Sequence, residues 1–97
     1  MTVIEKNVGA KVAYEVNGNK ITFGDDEITL NLAKYERDKE VRIDVCTDDD
    51  HILIAGPSKY FVANIIIPAR QDGAAVAFSM ENVTLVLWAL IDIDAEV

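Results

Sequence analysis

The sequence predicts an all-β protein, either an antiparallel β-sandwich or a small barrel, with seven to eight short strands joined by tight hairpins. Apolar and polar residues alternate with a period of two from Lys11 onward, and no segment sustains the helical period of 3.6 residues. Turn signals recur every ~8–12 residues, the spacing of sandwiches and barrels. At 97 residues the chain is expected to be a single β domain, residues 1–97, with one core.

The first hairpin is predicted around the sequence Asn-Gly-Asn at positions 17–19. Asn-Gly is the strongest short hairpin signal, because a type I′ turn needs positive φ at both central residues. A turn centred on Asn17-Gly18 pairs Tyr14 with Ile21. A turn centred on Gly18-Asn19 pairs Tyr14 with Phe23 instead. Both registers keep the apolar residues on one face, so the alternation leaves both open.

A second hairpin is predicted from two further alternating runs that flank a charged segment. A turn at positions 37–38 places Leu32 opposite Ile43, and it also places Leu30 opposite Val45. The polar residues between them then match on the other face, as a hairpin requires. The alternative is a helical turn through the charged segment, which lacks an apolar stripe.

Three more strands are expected at residues 52–55, 60–67 and 74–78. The middle one is rich in β-branched residues and is followed by Pro68. Because proline cannot donate a hydrogen bond to a sheet, this strand ends there, bulges or lies at an edge. Asp72-Gly73 supplies the turn signal before the last of the three strands.

The final apolar run is the most informative part of the chain. Residues 85–91 are seven consecutive apolar residues, so they cannot alternate between core and solvent. The run is too short for a transmembrane helix, which needs about 20 residues. It is therefore a central strand buried on both faces, a strand lying under a partner subunit, or a short buried helix. The β-branched and aromatic residues favour a strand.

This run also predicts an interface with a protein partner. As a strand it directs Trp88 and Leu90 to one face, and Leu85 and Leu87 to the other. Outward faces of antiparallel sheets are normally polar, so one of these faces is expected to lie under another layer, a second copy or a partner. The predicted interface residues are therefore Leu85, Leu87, Trp88 and Leu90.

Charge excludes several classes of partner. The formal net charge is −8, and an acidic surface repels the phosphate backbone, so no nucleic-acid binding is expected. The basic residues of segment 34–42 are interleaved with acidic ones, as on a solvated face.

The sequence shows no transmembrane span, so no membrane binding is expected. It also shows no signal peptide, which favours a cytoplasmic location. A single cysteine excludes an intrachain disulfide.

No constellation for catalysis is apparent. His51 is the only histidine, and the candidate nucleophiles Cys46, Ser58 and Ser79 lie in no recognisable motif. Cys46 falls on an alternating strand, where it is expected to be a packing residue. The chain is therefore predicted to have no enzymatic activity and no cofactor.

The acidic turn at Asp48, Asp49 and Asp50 is a weak candidate for a metal site. Calcium prefers several oxygen ligands, and three consecutive carboxylates could supply them. The run lacks the alternate ligand positions, central glycine and terminal glutamate of an EF-hand loop. Consecutive acids in a turn are usually solvated, so no specific metal site is assigned.

The functional prediction is a small, non-catalytic structural or protein-interaction module. It is expected to self-associate as a homo-oligomer or to join a larger assembly, for example a phage or prophage particle. The contact is expected to use the C-terminal apolar strand or the strand at residues 60–67. The alternative is a β module that binds a cation or a carbohydrate through its acidic turns.

Overall fold

The computed structural model describes residues 1–50, 52–70 and 77–90. These residues form strands and two short 3₁₀ helices, with no α-helix among them, so the all-β prediction is confirmed. The strands are β1 (Thr2–Glu5), β2 (Tyr14–Asn17), β3 (Lys20–Phe23), β4 (Ile28–Asn31), β5 (Val41–Thr47), β6 (Leu53–Ala55), β7 (Tyr60–Ile67) and β8 (Thr84–Leu87). The 3₁₀ helices are Leu32–Tyr35 and Met80–Asn82.

The strands form two sheets with open edges. One sheet has five strands in the order β1-β8-β7-β5-β6, and the other has three in the order β2-β3-β4. Neither sheet, as far as the described residues go, closes into a barrel, so the barrel prediction is wrong. The purely antiparallel prediction is also wrong at one place, because β1 pairs with β8 in parallel.

The first hairpin is confirmed, and the structure selects one of the two predicted registers. Tyr14 pairs with Phe23, and the turn lies at Gly18-Asn19. Gly18 has φ +60°, while Asn19 is not among the positive-φ residues. Positive φ at the first central residue alone is the pattern of a type II′ turn rather than the expected type I′.

The predicted second hairpin does not form. β4 pairs with β3, whereas β5 pairs with β6 and β7 in the other sheet. The 3₁₀ helix Leu32–Tyr35 redirects the chain between the two sheets, so the alternative of a helical turn is realised in part. Leu32 anchors this redirection because its side chain is fully buried and its N–H donates to the carbonyl of Asn19 at 2.8 Å.

Of the three further predicted strands, two are present in the structure. The strand at Tyr60–Ile67 is confirmed, lies inside the five-stranded sheet and ends at Pro68. The strand at 52–55 is realised as β6. Ala77 and Phe78 are not in a strand, and the rest of the 74–78 prediction, with the Asp72-Gly73 turn, lies outside the described residues.

Both sheets contribute to one hydrophobic core. Its side chains are Val12, Ile21, Phe23, Leu30, Leu32, Val45, Val62, Ala63, Ile65, Ile67, Val83, Leu85 and Leu87. In the five-stranded sheet, Leu85 pairs with Ile65 and Ile65 pairs with Ile43. Because directly paired residues point to the same side of a sheet, these three define its core face. The opposite side is called the outer face below.

The N-terminal strand β1 is a feature that the alternation did not predict. It lies at the edge of the five-stranded sheet, and all four of its residues are exposed. Its pairing with β8 continues beyond the strand, where the N–H of Lys6 donates to the carbonyl of Leu87 at 2.8 Å. Gly9 then packs so closely that an added Cβ would lie 2.8 Å from that of Ala89.

Candidate functional site

The predicted interface residues divide between the core and the surface. β8 ends at Leu87, and Leu85 and Leu87 are buried in the chain's own core, at 0% and 5% exposure. Neither therefore offers surface to a partner in this structure. Trp88 is half-buried and Leu90 is exposed. Any interface built on this segment has to begin at Trp88, which follows the end of the strand.

A β-bulge brings an aromatic partner to Trp88. The pairing of β5 with β7 shifts between Val45 and Cys46, so that Cys46 lies opposite Phe61. Asp44 pairs with Asn64, whose side chain contacts Trp88 on the outer face. Cys46 lies two residues after Asp44 and therefore points to the same face. Its partner Phe61 then lies on the outer face as well. The Phe61 and Trp88 rings stack with centroids 6.0 Å apart and planes inclined by 29°. Re-aiming a side chain in this way is a common role of bulges.

A chain of hydrogen bonds fixes the orientation of the indole ring. Trp88 Nε1 donates to Asn64 Oδ1 at 2.6 Å, and Asn64 Nδ2 donates to Asp44 Oδ1 at 2.8 Å. Arg42 Nε completes the chain by donating to the same Asp44 oxygen at 3.0 Å. Asn64 is only 2% exposed, so both ends of its amide are satisfied away from water. The network therefore holds Trp88 in one position on the outer face.

Aliphatic side chains extend the apolar surface on both sides of these rings. Ile4 pairs with Val86, which pairs with Asn64, so Ile4 lies on the outer face. Ile54 pairs with Cys46 and lies on the same face. Ile4 is 45% exposed, Ile54 38% and Phe61 44%. We call Ile4, Ile54, Phe61 and Trp88 the outer patch.

The outer patch spans the sheet from β1 to β6. Five strands at the usual spacing cover about 19 Å. An exposed sheet face is normally polar, so apolar side chains that share such a face and are exposed on it indicate an interaction site. Of these four residues the sequence predicted Trp88 as an interface residue, and it offered the strand that carries Phe61 as an alternative surface. The bulge and the strand order, which bring the others together, have no local signal.

The acidic turn is engaged in contacts within the chain. Asp48 Oδ1 accepts hydrogen bonds from the backbone N–H groups of Asp50, at 2.9 Å, and Ile52, at 3.2 Å. The Asp49 carboxylate accepts from Lys59 Nζ, and from the Tyr60 hydroxyl at 3.1 Å. These hydrogen bonds lower the pKa of Asp49, and the same ion pair raises the pKa of Lys59.

These contacts bear on the predicted cation site. Among residues 1–50, 52–70 and 77–90, no group of three or more His, Cys, Asp or Glu side chains is arranged to hold a metal ion. Asp48 serves as a backbone acceptor, and Asp49 already has a cationic partner. Binding of a cation or carbohydrate by the acidic turns stays a prediction that this geometry does not favour.

Of the candidate catalytic residues, Cys46 and Ser58 lie close together, because the backbone N–H of Ser58 donates to the Cys46 thiol. Cys46 is fully buried, and burial raises the pKa of its thiol, so it is protonated and packed as expected of a structural cysteine. The Ser79 hydroxyl accepts the N–H of Glu81 at 3.2 Å and caps the second 3₁₀ helix. Ser58 is exposed, and His51 lies outside the described residues.

Comparison with known proteins gives no functional guidance. No protein-family model, curated protein sequence or solved structure matches the chain. Within the part of the chain that the structure describes, no helix has the length and apolar character needed to cross a membrane.

Proposed function

We propose that this protein is a small non-catalytic module that self-associates through its outer patch, with its two sheets stacked as a sandwich. One observation carries the proposal. Phe61 is 44% exposed, yet it is held in a defined stack on Trp88, on the open face of a sheet. A large aromatic side chain in this setting is typical of the centre of a protein interface.

The patch is built in a way that favours association. Burying a large apolar side chain contributes roughly 1.5–3 kcal/mol. Ordering a side chain at an interface costs about 0.5–1.5 kcal/mol, and Trp88 avoids much of that cost because Asn64 already fixes it. The aromatic pair is therefore a preorganised anchor, and Ile4 and Ile54 supply the apolar surroundings that exclude water.

A second copy of the chain is the simplest partner. In a two-fold dimer the same surface meets itself, so the apolar outer patch satisfies both subunits at once. The net charge of −8 on each copy opposes this contact at low ionic strength. Association through the patch is therefore expected to strengthen as added salt screens the repulsion. Membership of a phage or prophage particle and a cytoplasmic location stay predictions.

Phe61→Ser is expected to shift the chain to monomer mass over a concentration range where the unmodified protein associates. The substitution removes the exposed ring and puts a polar group at the centre of the patch. Sedimentation velocity measures the mass. Emission from Trp88, the only tryptophan, reports the same transition through its change in solvent contact.

Val8→Ser is the matched control, because Val8 is 99% exposed and lies outside the outer patch. It should leave the mass distribution of the protein unchanged. Identical masses for the unmodified protein and Phe61→Ser, at concentrations where both are folded, would exclude the patch as the association surface.

A further inference from the structure

A groove of about 420 Å³ runs beside the first half of β5. Its walls include Tyr35, Ile43 and Pro57, and Arg42 and Asp44 line its outer side. Tyr35 is 37% exposed, so an aromatic side chain faces solvent at this place. The groove is separate from the outer patch residues, none of which lines it.

The groove exists because β6 is shorter than β5. β6 pairs only with residues 45–47, and Gly56, at φ +142°, then takes the chain away. On that side of β5, no strand of the described chain lies beside residues 41–44. The last contact is from the Gly56 N–H to the carbonyl of Asp44 at 2.8 Å.

The backbone at this place has the polarity to receive a strand. Successive residues of a strand direct their backbone groups to opposite sides, so Arg42 presents its N–H and C=O to the same side as Asp44. That side is the groove. An extended segment added here would pair with these groups, as in recognition by strand addition.

The walls specify the side chains of such a segment. The groove offers the apolar side chain of Ile43 and the ring of Tyr35, and on the outer side it offers the guanidinium group of Arg42. This group is paired with Asp44 through Nε, but its side chain is still 56% exposed. Because side chains alternate along a strand, the matching segment has apolar residues at alternate positions and carboxylates between them.

The charge around the groove supports an acidic occupant. Segment 34–42 carries four basic and three acidic residues, in a chain whose net charge is −8. Two of those acids, Glu36 and Asp38, lie within 3.5 Å of the Arg70 guanidinium. Segment 34–42 therefore carries a net charge of +1, against −9 for the rest of the chain, so it attracts carboxylates more than the remaining sequence does.

One segment of the chain has the required pattern. Residues 91–97 read Ile-Asp-Ile-Asp-Ala-Glu-Val, with apolar residues at odd positions and carboxylates at even positions. We propose that the groove beside β5 binds residues 91–97 of a second copy as an added strand. This inference rests on the proposed function of self-association and names a second contact for it, one that links copies head to tail.

Chain reach favours a second copy over the same copy. The N–H of Leu90 donates to the carbonyl of Ala10 at 2.7 Å, beside the β1 edge and away from the groove. A strand added beyond β5 would lie three strand spacings from β8, a distance of about 14 Å. Crossing that distance uses about four of the seven residues, at roughly 3.3–3.6 Å each. Residues 91–97 of the same copy therefore cannot both span that distance and fill the groove.

The test titrates a fluorescein-labelled peptide, Ile-Asp-Ile-Asp-Ala-Glu-Val, with the full-length protein and follows fluorescence anisotropy. We expect saturable binding, carried by backbone pairing with β5 and by the guanidinium group of Arg42. A peptide of the same composition without alternation, Ile-Ile-Ala-Val-Asp-Asp-Glu, should bind at least tenfold more weakly.

Two variants probe the opposite walls of the groove. Arg42→Glu and Tyr35→Ala should each weaken binding of the peptide about tenfold, whereas Lys20→Glu, a charge reversal in the other sheet, should not. Absence of binding at millimolar peptide, or equal binding of both peptides, would overturn the inference. Loss of self-association in Phe61→Ser together with absent peptide binding would reject the strand contact alone. Peptide binding together with unchanged self-association in Phe61→Ser would reject the patch alone.

Discussion

Phe23→Ala is expected to lower the free energy of unfolding by about 3–5 kcal/mol, the cost of truncating a buried phenylalanine. Among the residues that the structure describes, Phe23 is the largest side chain that is fully buried, and it belongs to the core that both sheets build. Removing its ring leaves a cavity that the flanking strands fill only in part. Urea denaturation followed by circular dichroism measures the change.

The same truncation at Phe61 is the control for this prediction. Phe61→Ala removes an identical group from an exposed position, and it loses mainly the contact with Trp88, worth about 0.5–1.5 kcal/mol. Both variants are compared at a concentration where the protein is monomeric. Equal losses for the two substitutions would mean that Phe23 is not part of a shared core.

Asn64→Ala is expected to destabilise the protein by about 1–3 kcal/mol, because it leaves buried polar atoms without partners. Trp88 Nε1 loses its acceptor, and Asp44 loses one of its two side-chain donors. The indole ring is then no longer held, so its fluorescence emission should move towards longer wavelength. Self-association should weaken at the same time, because the anchor of the outer patch is no longer preorganised.

Thr29→Val is the control for the loss of a hydrogen bond alone. It removes the exposed contact between the hydroxyls of Thr29 and Thr22, 2.9 Å apart, and it keeps the β-branched shape. A surface change of this kind stays within about 0.5 kcal/mol. If Asn64→Ala were as mild as Thr29→Val, the network would not be what fixes Trp88.

Local alternation was enough to locate most strands and one hairpin. The β2–β3 pairing was predictable because an Asn-Gly signal connects two runs whose apolar residues match. The choice between the two registers was not predictable, since both keep the same faces buried. It depends on which pair of residues occupies the turn, and here Gly18 takes the position that requires positive φ.

Alternation did not determine which strands are neighbours. Leu30 and Val45 are both core residues, as their pattern implies, but they belong to different sheets. Two strands with matching apolar and polar faces can pair side by side in one sheet, or they can pack face to face from two different sheets. The sequence pattern is the same in both cases. What separates them is the 3₁₀ helix Leu32–Tyr35, whose sequence has no amphipathic stripe to reveal it.

The parallel pairing of β1 with β8 is a long-range feature without a local signature. β1 has only four residues and is exposed on both faces, so it shows no alternation to detect. Its partner β8 shows the converse, a continuous apolar run, because it lies inside the sheet between β1 and β7. The run was correctly recognised as a strand, but it ends at Leu87 and buries only one face completely.

The candidate site was predicted in part. Four residues were expected at a surface contact. Trp88 and Leu90 reach the surface, whereas Leu85 and Leu87 are buried in the core. Phe61 was anticipated only as part of the alternative strand at residues 60–67, and Ile4 and Ile54 were not anticipated. The three residues come from separate strands that only the sheet order brings to one face. The Asn64 link between Asp44 and Trp88 likewise depends on the register of three strands. No spacing in the sequence encodes it.

Sedimentation equilibrium of the unmodified full-length protein, at low and at high salt, tests the central claim most directly. Self-association through an apolar outer patch on an acidic protein predicts an average mass that rises with concentration and rises further with added salt. A mass that stays at 10.7 kDa at every concentration and salt level would contradict the account.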